Sequence, residues 1–123
     1  MPTLTVGDLM TEDVRTVRPN DEVKVARELL RDRGVHAVPV VDDERGQEPV
    51  GIVTSTDLMG DVSDDAPVSV IMSTTIWEVP RGATVGAAAS LMRHERVHHL
   101  IVRDQNDGHG IISSYDLLAA LTD

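Results

Sequence analysis

Short apolar runs alternate with polar turns along the first half of the chain. Val23, Ala26 and Leu30 recur at helical spacing between a capping signal at Asn20–Asp21 and Gly34, so they predict an amphipathic helix that ends at Gly34. Runs of valine and isoleucine on both sides of it favour extended backbone. The predicted elements are a strand at 14–18, this helix, strands at 36–41 and 50–53, and a second helix beginning near Thr56.

The second half of the chain repeats this order. Met10 and Met72 stand 62 positions apart, and the same offset relates His36 to His98. Beyond residue 42 the offset falls to 59, because the polar loop at 42–49 is longer than its counterpart at 104–109. A length change confined to a polar loop is typical of two related halves. The repeat predicts strands at 76–79, 99–102 and 110–112 and helices at 85–92 and 115–121. It also predicts two domains, 1–62 and 63–123. A leader at 4–10 is predicted to form a small helical turn that packs across the halves.

One motif occurs at the same place in both halves, as Gly51–Asp57 and as Gly110–Asp116. Each copy has glycine, two β-branched residues, a hydroxyl residue, two further residues and aspartate, and each continues into leucine. The pattern predicts a buried strand that turns into a helix, with the hydroxyl and the aspartate forming a capping box. Such a junction presents free N–H groups and a positive dipole end, which favour an anion. The alternative is that both pairs are helix caps and nothing more.

Composition restricts the core and the partners. Hydrophobic residues make up 41% of the 123 residues but aromatic residues only 2%, and cysteine is absent, so the core is aliphatic and thiol chemistry is excluded. The formal net charge of −10 disfavours nucleic acid and anionic membrane surfaces. No apolar run approaches the roughly 20 residues that a membrane span needs, and the N-terminus does not resemble a signal peptide. We therefore expect a cytoplasmic protein that binds neither nucleic acid nor membrane.

Acidic residues outnumber basic ones by 21 to 11, and Lys24 is the only lysine. One interpretation is adaptation to high salt, because surface carboxylates keep a protein hydrated there. The alternative is an ordinary acidic soluble protein. Folding in dilute buffer with loss of the fold in molar KCl would exclude the halophilic interpretation.

His94–His98 matches the H-E-x-x-H signature of zinc proteases. That signature needs one continuous helix, so that both histidines face the same metal. The repeat, however, aligns Arg96 with Gly34, where the first helix ends, and therefore places His98 on or next to a strand. We predict no zinc site here, although adventitious metal binding by His94, His98 and His99 stays open.

The chain resembles the CBS (cystathionine β-synthase) domain family in Asp8–Met10, Val35–Asp42, Gly51–Leu58 and the counterparts of these segments in the second half. The resemblance covers nearly the whole chain. It implies an α/β (α+β) fold in which two CBS repeats pack sheet to sheet about a pseudo-two-fold axis, as a Bateman module. It also implies two clefts for adenosine-containing ligands, namely AMP, ADP or ATP and in some members S-adenosylmethionine or NAD. Such modules usually regulate, for example by sensing cellular energy, rather than catalyse.

The resemblance also assigns roles to individual residues. Asp57 and Asp116 match the aspartates that accept hydrogen bonds from ribose hydroxyls, and a carboxylate suits two adjacent O–H donors. For each of His36, His98 and His99, the alternative is a half-exposed strand residue. Tyr115 stands where a small hydroxyl residue is common, and it would either stack on a base or block its cleft. The remaining implied ligand residues are Thr54, Thr56, Ser113 and Tyr115 beside the aspartates, His36, His98 and His99 near phosphate, and Thr16, Val17, Ala37, Val50, Ile76 and Glu78 around adenine.

These observations favour a stand-alone regulatory module with no obligatory cofactor and an unknown target protein. Local positive charge for a phosphate would come from helix N-termini, His98, His99, Arg96 or Arg103. A scaffold without a ligand is the second hypothesis. Nothing in the sequence assembles a nucleophile with a base, so an enzyme is not expected. We also predict a homodimer through apolar helix faces that carry Leu29, Leu30, Leu58, Met59, Leu91, Met92, Leu117 and Leu118.

Overall fold

The computed structural model describes residues 3–12, 14–45, 48–103 and 109–121. Within these residues the helices are α1 (Val6–Leu9), α2 (Val23–Arg33), α3 (Val85–Glu95) and α4 (Ser114–Leu118). The strands are β1 (Ala37–Asp42), β2 (Glu48–Thr54), β3 (Glu78–Pro80), β4 (His99–Arg103) and β5 (His109–Ser113). Single 3₁₀ turns lie at Asp43–Arg45, Asp57–Met59, Val68–Val70 and Ala119–Leu121. The predicted mixture of helices and strands, arranged around two sheets, is confirmed.

The chain divides into two compact units. Unit A is Arg15–Ile76, and unit B is Met1–Val14 together with Trp77–Asp123. These units differ from the sequence repeats 1–62 and 63–123 by an exchange of leaders, because each leader folds with the other half of the chain. The predicted helical turn at 4–10 that packs across the halves is confirmed, since α1 contributes Val6 to a core that also contains Val79 and Ala88.

Unit A contains a two-stranded antiparallel sheet of β1 and β2, in which Ala37 lies opposite Thr54 and Val40 lies opposite Gly51. The predicted strand at 14–18 was wrong in extent, because only Val17 pairs, through a parallel bridge to Val40. The Val17 amide donates to the Pro39 carbonyl at 3.1 Å, and the Val41 amide donates to the Val17 carbonyl at 2.9 Å. Pro39 has no N–H group, so it cannot extend this ladder toward Arg15.

Helix α2 begins later than predicted, and its cap comes from elsewhere. The N-cap position is Glu22, without a side-chain cap, rather than Asn20–Asp21. The first amides of α2 are satisfied by backbone instead, because Val23 N–H donates to the carbonyl oxygen of Ala66 at 2.8 Å and Lys24 N–H donates to that of Asp64 at 3.0 Å. The predicted end is confirmed, since Gly34 has φ 64° in the left-handed region.

Unit B contains a three-stranded sheet in the order β3-β4-β5, parallel between β3 and β4 and antiparallel between β4 and β5. Its leader repeats the backbone bonds of unit A. The Val85 amide donates to the Leu4 carbonyl at 3.2 Å, as Val23 does to Ala66, and Thr11 bridges Ile111, as Ser73 bridges Ile52.

The two halves differ after the repeated motif. The helix predicted near Thr56 was wrong, because only a 3₁₀ turn forms at Asp57–Met59 and Gly60 is extended at φ −73° and ψ 172°. In unit B, α4 and the following 3₁₀ turn fill the predicted range up to Leu121. The residue equivalent to Gly60 is Ala119, and glycine is about 1 kcal/mol less favourable than alanine in a helix interior.

Each unit has its own aliphatic core, as the composition predicted. Leu30 and Leu58 lie in the core of unit A and Met92 lies in that of unit B, so these three residues are not available to an external apolar face. Leu29, Leu91 and Leu117 pack partly against the same cores. In the described part of the chain, no helix is long and apolar enough to cross a membrane.

Candidate functional site

Thr54 and Asp57 form a closed hydrogen-bonded box at the end of β2. Oδ2 of Asp57 accepts from the Thr54 amide at 2.8 Å and from Oγ1 of Thr54 at 3.1 Å. Oγ1 of Thr54 in turn accepts from the Asp57 amide at 3.3 Å. The β-branched strand leads into this turn, and the box fixes the direction of the aspartate side chain.

Ser113 and Asp116 form the equivalent box at the end of β5. Oδ2 of Asp116 accepts from the Ser113 amide at 2.8 Å, and Oγ of Ser113 accepts from the Asp116 amide at 3.0 Å. This is a complete capping box for α4. The capping interpretation is therefore confirmed for Ser113 and Asp116 in unit B. Thr54 and Asp57 in unit A have the same box geometry.

Capping does not use the whole carboxylate in either box. Every hydrogen bond that the structure shows for the side-chain carboxylates of Asp57 and Asp116 ends at Oδ2, so Oδ1 of each has no partner among the described residues. Both aspartates are half-buried rather than fully exposed. A carboxylate oxygen held in a fixed direction with its lone pairs unused can accept from O–H donors of a ligand.

A histidine lies beside each box. The Ser55 amide donates to the His36 carbonyl at 2.9 Å, and the Ser114 amide donates to the His98 carbonyl at 2.8 Å. Only His98 adds a side-chain contact, from Nδ1 to Oγ of Ser114 at 3.3 Å. On the adjoining strands Ala37 lies opposite Thr54 and His99 lies opposite Ser113, so the structure brings these predicted residues to the two boxes.

Of the other predicted adenine-pocket residues, Val17 and Val50 take part in the core of unit A. Val17 is buried in the core of unit A, and Val50 packs against that core. Val17 is level with Val40 and Gly51, which are three residues along the strands from the Ala37–Thr54 pair, or about 10 Å at the usual rise of about 3.3 Å per residue. Thr16 and Ile76 are half-buried. The role of these residues around adenine stays a prediction.

Glu78 is already engaged in a forked ion pair. Its Oε1 lies 3.0 Å from Nε of Arg103, and its Oε2 lies 3.3 Å from Nη2 of the same guanidinium. Arg103 was one of the expected sources of positive charge for a phosphate, and the carboxylate of Glu78 offsets that charge. Arg96 is exposed at the end of α3. Beside the Ser113–Asp116 box, Nδ1 of His98 lies 3.3 Å from Oγ of Ser114, and His99 lies opposite Ser113.

The residues before the two aspartates differ in size. Thr56 is exposed in unit A, and Tyr115 is 77% exposed in unit B. An aromatic ring this exposed is not part of the core, and stacking on a base and blocking a cleft both stay open for it.

The glycines that open the two motifs lie against the leader chains. A Cβ atom on Gly51 would lie 2.8 Å from Sδ of Met72 and 2.9 Å from the carbonyl oxygen of Ser73. A Cβ atom on Gly110 would overlap Cε of Met10 and lie 3.1 Å from the carbonyl oxygen of Thr11. The leader chain therefore runs directly over each glycine. The motif glycine and the leader methionine pair with each other in both halves, a relation that the sequence repeat alone did not reveal.

Arg27 is a residue near the site that sequence reasoning missed. Its Nη1 donates to the carbonyl oxygen of Leu58, in the turn that begins with Asp57, at 2.9 Å. The two residues are 31 positions apart and belong to no common motif. The one available signal was a difference between the repeats, since the equivalent residue in the second half is Ala89.

Two surface cations of unit A, Arg18 and Lys24, form ion pairs with carboxylates. Asp43 hydrogen-bonds to Arg18 and raises the pKa of that guanidinium, while Glu22 and then Asp65 raise the pKa of Lys24 by their charge. All of these groups are solvent-exposed, so each pair stabilises the fold little. Their consequence is that these two cations are already partnered by carboxylates of the protein.

The H-E-x-x-H match does not form a zinc-protease site. Helix α3 ends at Glu95, and Arg96 follows in the left-handed conformation at φ 59°. The prediction that the helix ends before His98 is confirmed. Across the described ranges, no three histidine, aspartate or glutamate side chains come together as a metal site would require.

Comparison with known proteins gives a consistent result. The CBS domain family model matches residues 6–64 and again residues 62–123. The protein YhcV of Bacillus subtilis, described as CBS domain-containing, is 32% identical over 117 residues, which cover 91% of this chain and 81% of that protein. The uncharacterized protein MJ1404 of Methanocaldococcus jannaschii is 29% identical over 136 residues, and this chain spans only 32% of its length.

A solved structure has the same fold over almost the whole chain. The crystal structure of CBSX2 in complex with AMP is 26% identical, covers 95% of this chain and 95% of the other, and superposes with a TM-score of 0.78.

Proposed function

This chain belongs to the CBS domain family as a tandem pair of CBS domains, and from that premise we propose that it is a regulatory module that binds an adenosine-containing ligand. The observation that carries the proposal is the pair of boxes. Each holds one aspartate by Oδ2 and leaves Oδ1 without a protein partner among the described residues. Two adjacent hydroxyls of a ribose are donors that such an oxygen can accept.

Three further features support an adenosine ligand. A hydroxyl side chain, Thr54 or Ser113, forms part of each box, and a histidine backbone closes the turn beside it. Imidazole can donate to phosphate when it is protonated or in the suitable tautomer. The related CBSX2 was crystallised with AMP. AMP, ADP and ATP are our leading ligands, with S-adenosylmethionine and NAD as alternatives.

The two boxes differ, so we propose that they have different affinities. Unit B has His98 and His99 beside its box, where unit A has His36 and Ala37. Unit B also has the large Tyr115 where unit A has Thr56. The extra imidazole favours an anionic ligand at Asp116, whereas the exposed tyrosine restricts or stacks on whatever enters there.

Calorimetric titration with AMP, ADP, ATP, S-adenosylmethionine and NAD, at low and at molar salt, tests the proposal. We expect saturable binding of at least one ligand, with one site lost in Asp57→Ala and the other in Asp116→Ala. Thermal unfolding of each variant checks that it is folded. Wild-type affinity in both variants would contradict the role of the aspartates.

We further propose a cytoplasmic, non-enzymatic protein that regulates a target through its ligand-dependent state. The net charge of −10 makes nucleic acid an unfavourable partner. Steady turnover of ATP by pure protein would contradict the absence of catalysis.

A scaffold role is the second candidate, and exposed apolar side chains favour it. Met59, Tyr115, Leu118 and Leu121 are all more than half exposed. Leu30, Leu58 and Met92 lie in the cores, so the proposed homodimer rests on the exposed Met59 and Leu118. Light scattering across concentration and salt tests it, and a monomer throughout would remove it. Unfolding followed in dilute buffer and in molar KCl tests the halophilic interpretation.

A further inference from the structure

Arg27 joins three parts of unit A that are distant along the chain. It lies on α2, its Nη1 donates to the carbonyl oxygen of Leu58 at 2.9 Å, and its Nε lies 3.2 Å from Oδ1 of Asp64. Leu58 is the middle residue of the Asp57–Met59 turn. One side chain therefore contacts both the turn that begins with the candidate ligand aspartate and the loop that comes after it.

The Leu58 carbonyl needs an outside donor because its turn is short. The amides of Leu58 and Met59 donate to the carbonyl oxygens of Ser55 and Thr56, each at 3.2 Å. Gly60 is extended, however, so the helical backbone does not continue. The last carbonyls of any helical segment lack donors within the segment. A part-buried carbonyl without a donor is unfavourable, and a guanidinium is a strong donor to it.

Unit B satisfies the same position with backbone alone. The residue equivalent to Leu58 is Leu117, and the Ala119 amide donates to the carbonyl oxygens of both Asp116 and Leu117 where the backbone runs on into the 3₁₀ turn at Ala119–Leu121. The residue equivalent to Arg27 is Ala89, whose side chain has no donor. Any effect of Arg27 is therefore expected at the Asp57 site and not at the Asp116 site.

The second contact of Arg27 anchors the loop at 61–66. The carbonyl oxygens of Asp64 and Ala66 accept from the first amides of α2, at 3.0 and 2.8 Å, so this loop caps the helix that carries Arg27. The side chain of Asp64 is exposed, which makes its ion pair with Arg27 the weaker of the two contacts. The bond to Leu58 is the contact that holds the turn.

We propose that Arg27 is a positioning residue for the Asp57 ligand site. It holds the Asp57–Met59 turn so that Oδ1 of Asp57 keeps the direction needed by a ligand's O–H groups. The ligand part of this inference rests on the proposed function, whereas the immobilised turn does not. Without Arg27 the turn has more freedom, and ordering it on binding reduces affinity.

AMP titration of site-isolating variants tests the inference. Asp116→Ala leaves the Asp57 site alone, and Asp57→Ala leaves the Asp116 site alone. In the Asp116→Ala protein, adding Arg27→Ala should weaken AMP binding by about fivefold to tenfold, in line with the net contribution of one typical intramolecular hydrogen bond. In the Asp57→Ala protein it should leave the affinity unchanged. Arg27→Lys keeps one donor and should recover part of the loss.

Arg31→Ala is the matched control, because Arg31 lies one turn further along α2 and its side chain, among the described residues, pairs only with its exposed neighbour Asp32. It should change neither affinity. Equal weakening of both sites by Arg27→Ala, or no weakening of the Asp57 site, would overturn the positioning role.

Amide hydrogen exchange of the ligand-free protein separates this inference from the proposed function. Arg27→Ala should speed exchange at Leu58 and Met59 by about fivefold to tenfold without changing Leu117 and Leu118, and Arg31→Ala should change none of them. If wild-type protein binds no AMP, the proposed function fails for that ligand, while slow exchange at Leu58 that Arg27→Ala does not alter would overturn the positioning role by itself.

Discussion

Units A and B have the same backbone plan but different outer surfaces. The first amides of α2 and α3 are held by leader carbonyls at equivalent positions, Ala66 and Leu4. On α2 the solvent-facing residues include Lys24 and Arg27, whereas the equivalent residues of α3 are Gly86 and Ala89. Backbone hydrogen bonds and aliphatic cores therefore suffice for the fold, and the surface positions are left to make the two sites different.

The two boxes likewise share one hydrogen-bonding geometry but differ in the structure that follows them. Each uses Oδ2 of its aspartate in the same way, at 2.8 Å from the amide three residues earlier. The backbone beyond the aspartate differs, since Asp57 opens a 3₁₀ turn braced by Arg27 and Asp116 lies in a helix that continues to Leu118. The comparison teaches that a repeated motif can be held in place by a side chain in one copy and by backbone in the other.

Core truncation at equivalent positions should have the largest effect. Val38 and Leu100 occupy matching places in β1 and β4, and both are almost fully buried. Leu100→Ala should lower the free energy of unfolding by about 3 kcal/mol and Val38→Ala by about 2 kcal/mol, since leucine leaves the larger cavity. Urea denaturation measures both. Val70→Ala, at a 66% exposed site, is the control and should change stability by less than about 0.5 kcal/mol. Equal losses in all three would refute the assigned cores.

Adding a methyl group to each motif glycine should destabilise the fold by different amounts, because the two leaders pack differently over the two glycines. Gly51→Ala should destabilise by about 2 kcal/mol, because the new Cβ would lie 2.9 Å from a backbone carbonyl that cannot move alone. Gly110→Ala should have a smaller effect, near 1 kcal/mol, because its closest neighbour is the flexible end of Met10.

Thermal or urea unfolding measures this difference, with Gly86→Ala on exposed α3 as the control. No atom lies within 4 Å of a Cβ at Gly86, so that change should stabilise by about 0.5 to 1 kcal/mol. A destabilising Gly86→Ala, or a harmless Gly51→Ala, would show that the leaders do not pack as described.

The smallest expected effect concerns the helix caps. Oγ1 of Thr84 accepts from the Ala87 amide at 3.0 Å at the start of α3, whereas Glu22 makes no side-chain cap at the start of α2. Thr84→Ala should therefore cost about 1 kcal/mol, and Glu22→Ala should stay within about 0.5 kcal/mol. Chemical denaturation of the two variants measures the difference in their free energies of unfolding. A larger loss at Glu22 than at Thr84 would reverse the difference between the two helices.

Much of this architecture was predictable, because local signals and the repeat agreed. Gly34 and Arg96 end their helices in the left-handed conformation, as the alignment of the two halves required. The helix of Val23, Ala26 and Leu30 and the strands of both sheets followed from periodicity and β-branched residues. The failure at Asn20–Asp21 occurred because a distant partner replaced the local signal, since backbone from residues 64 and 66 caps α2 instead. The failure near Thr56 was local, because Gly60 is extended and ends the turn.

By itself, the sequence determined the two repeats, their aliphatic cores, the capping boxes at Asp57 and Asp116 and the family, because these depend on residue type and short spacing. Only the tertiary structure decided that each leader folds with the other half, that Gly51 and Gly110 lie under Met72 and Met10, and that Arg27 braces the Asp57 turn. Those relations join residues that are distant along the chain, and their energies arise only when packing brings the atoms within hydrogen-bond or van der Waals distance.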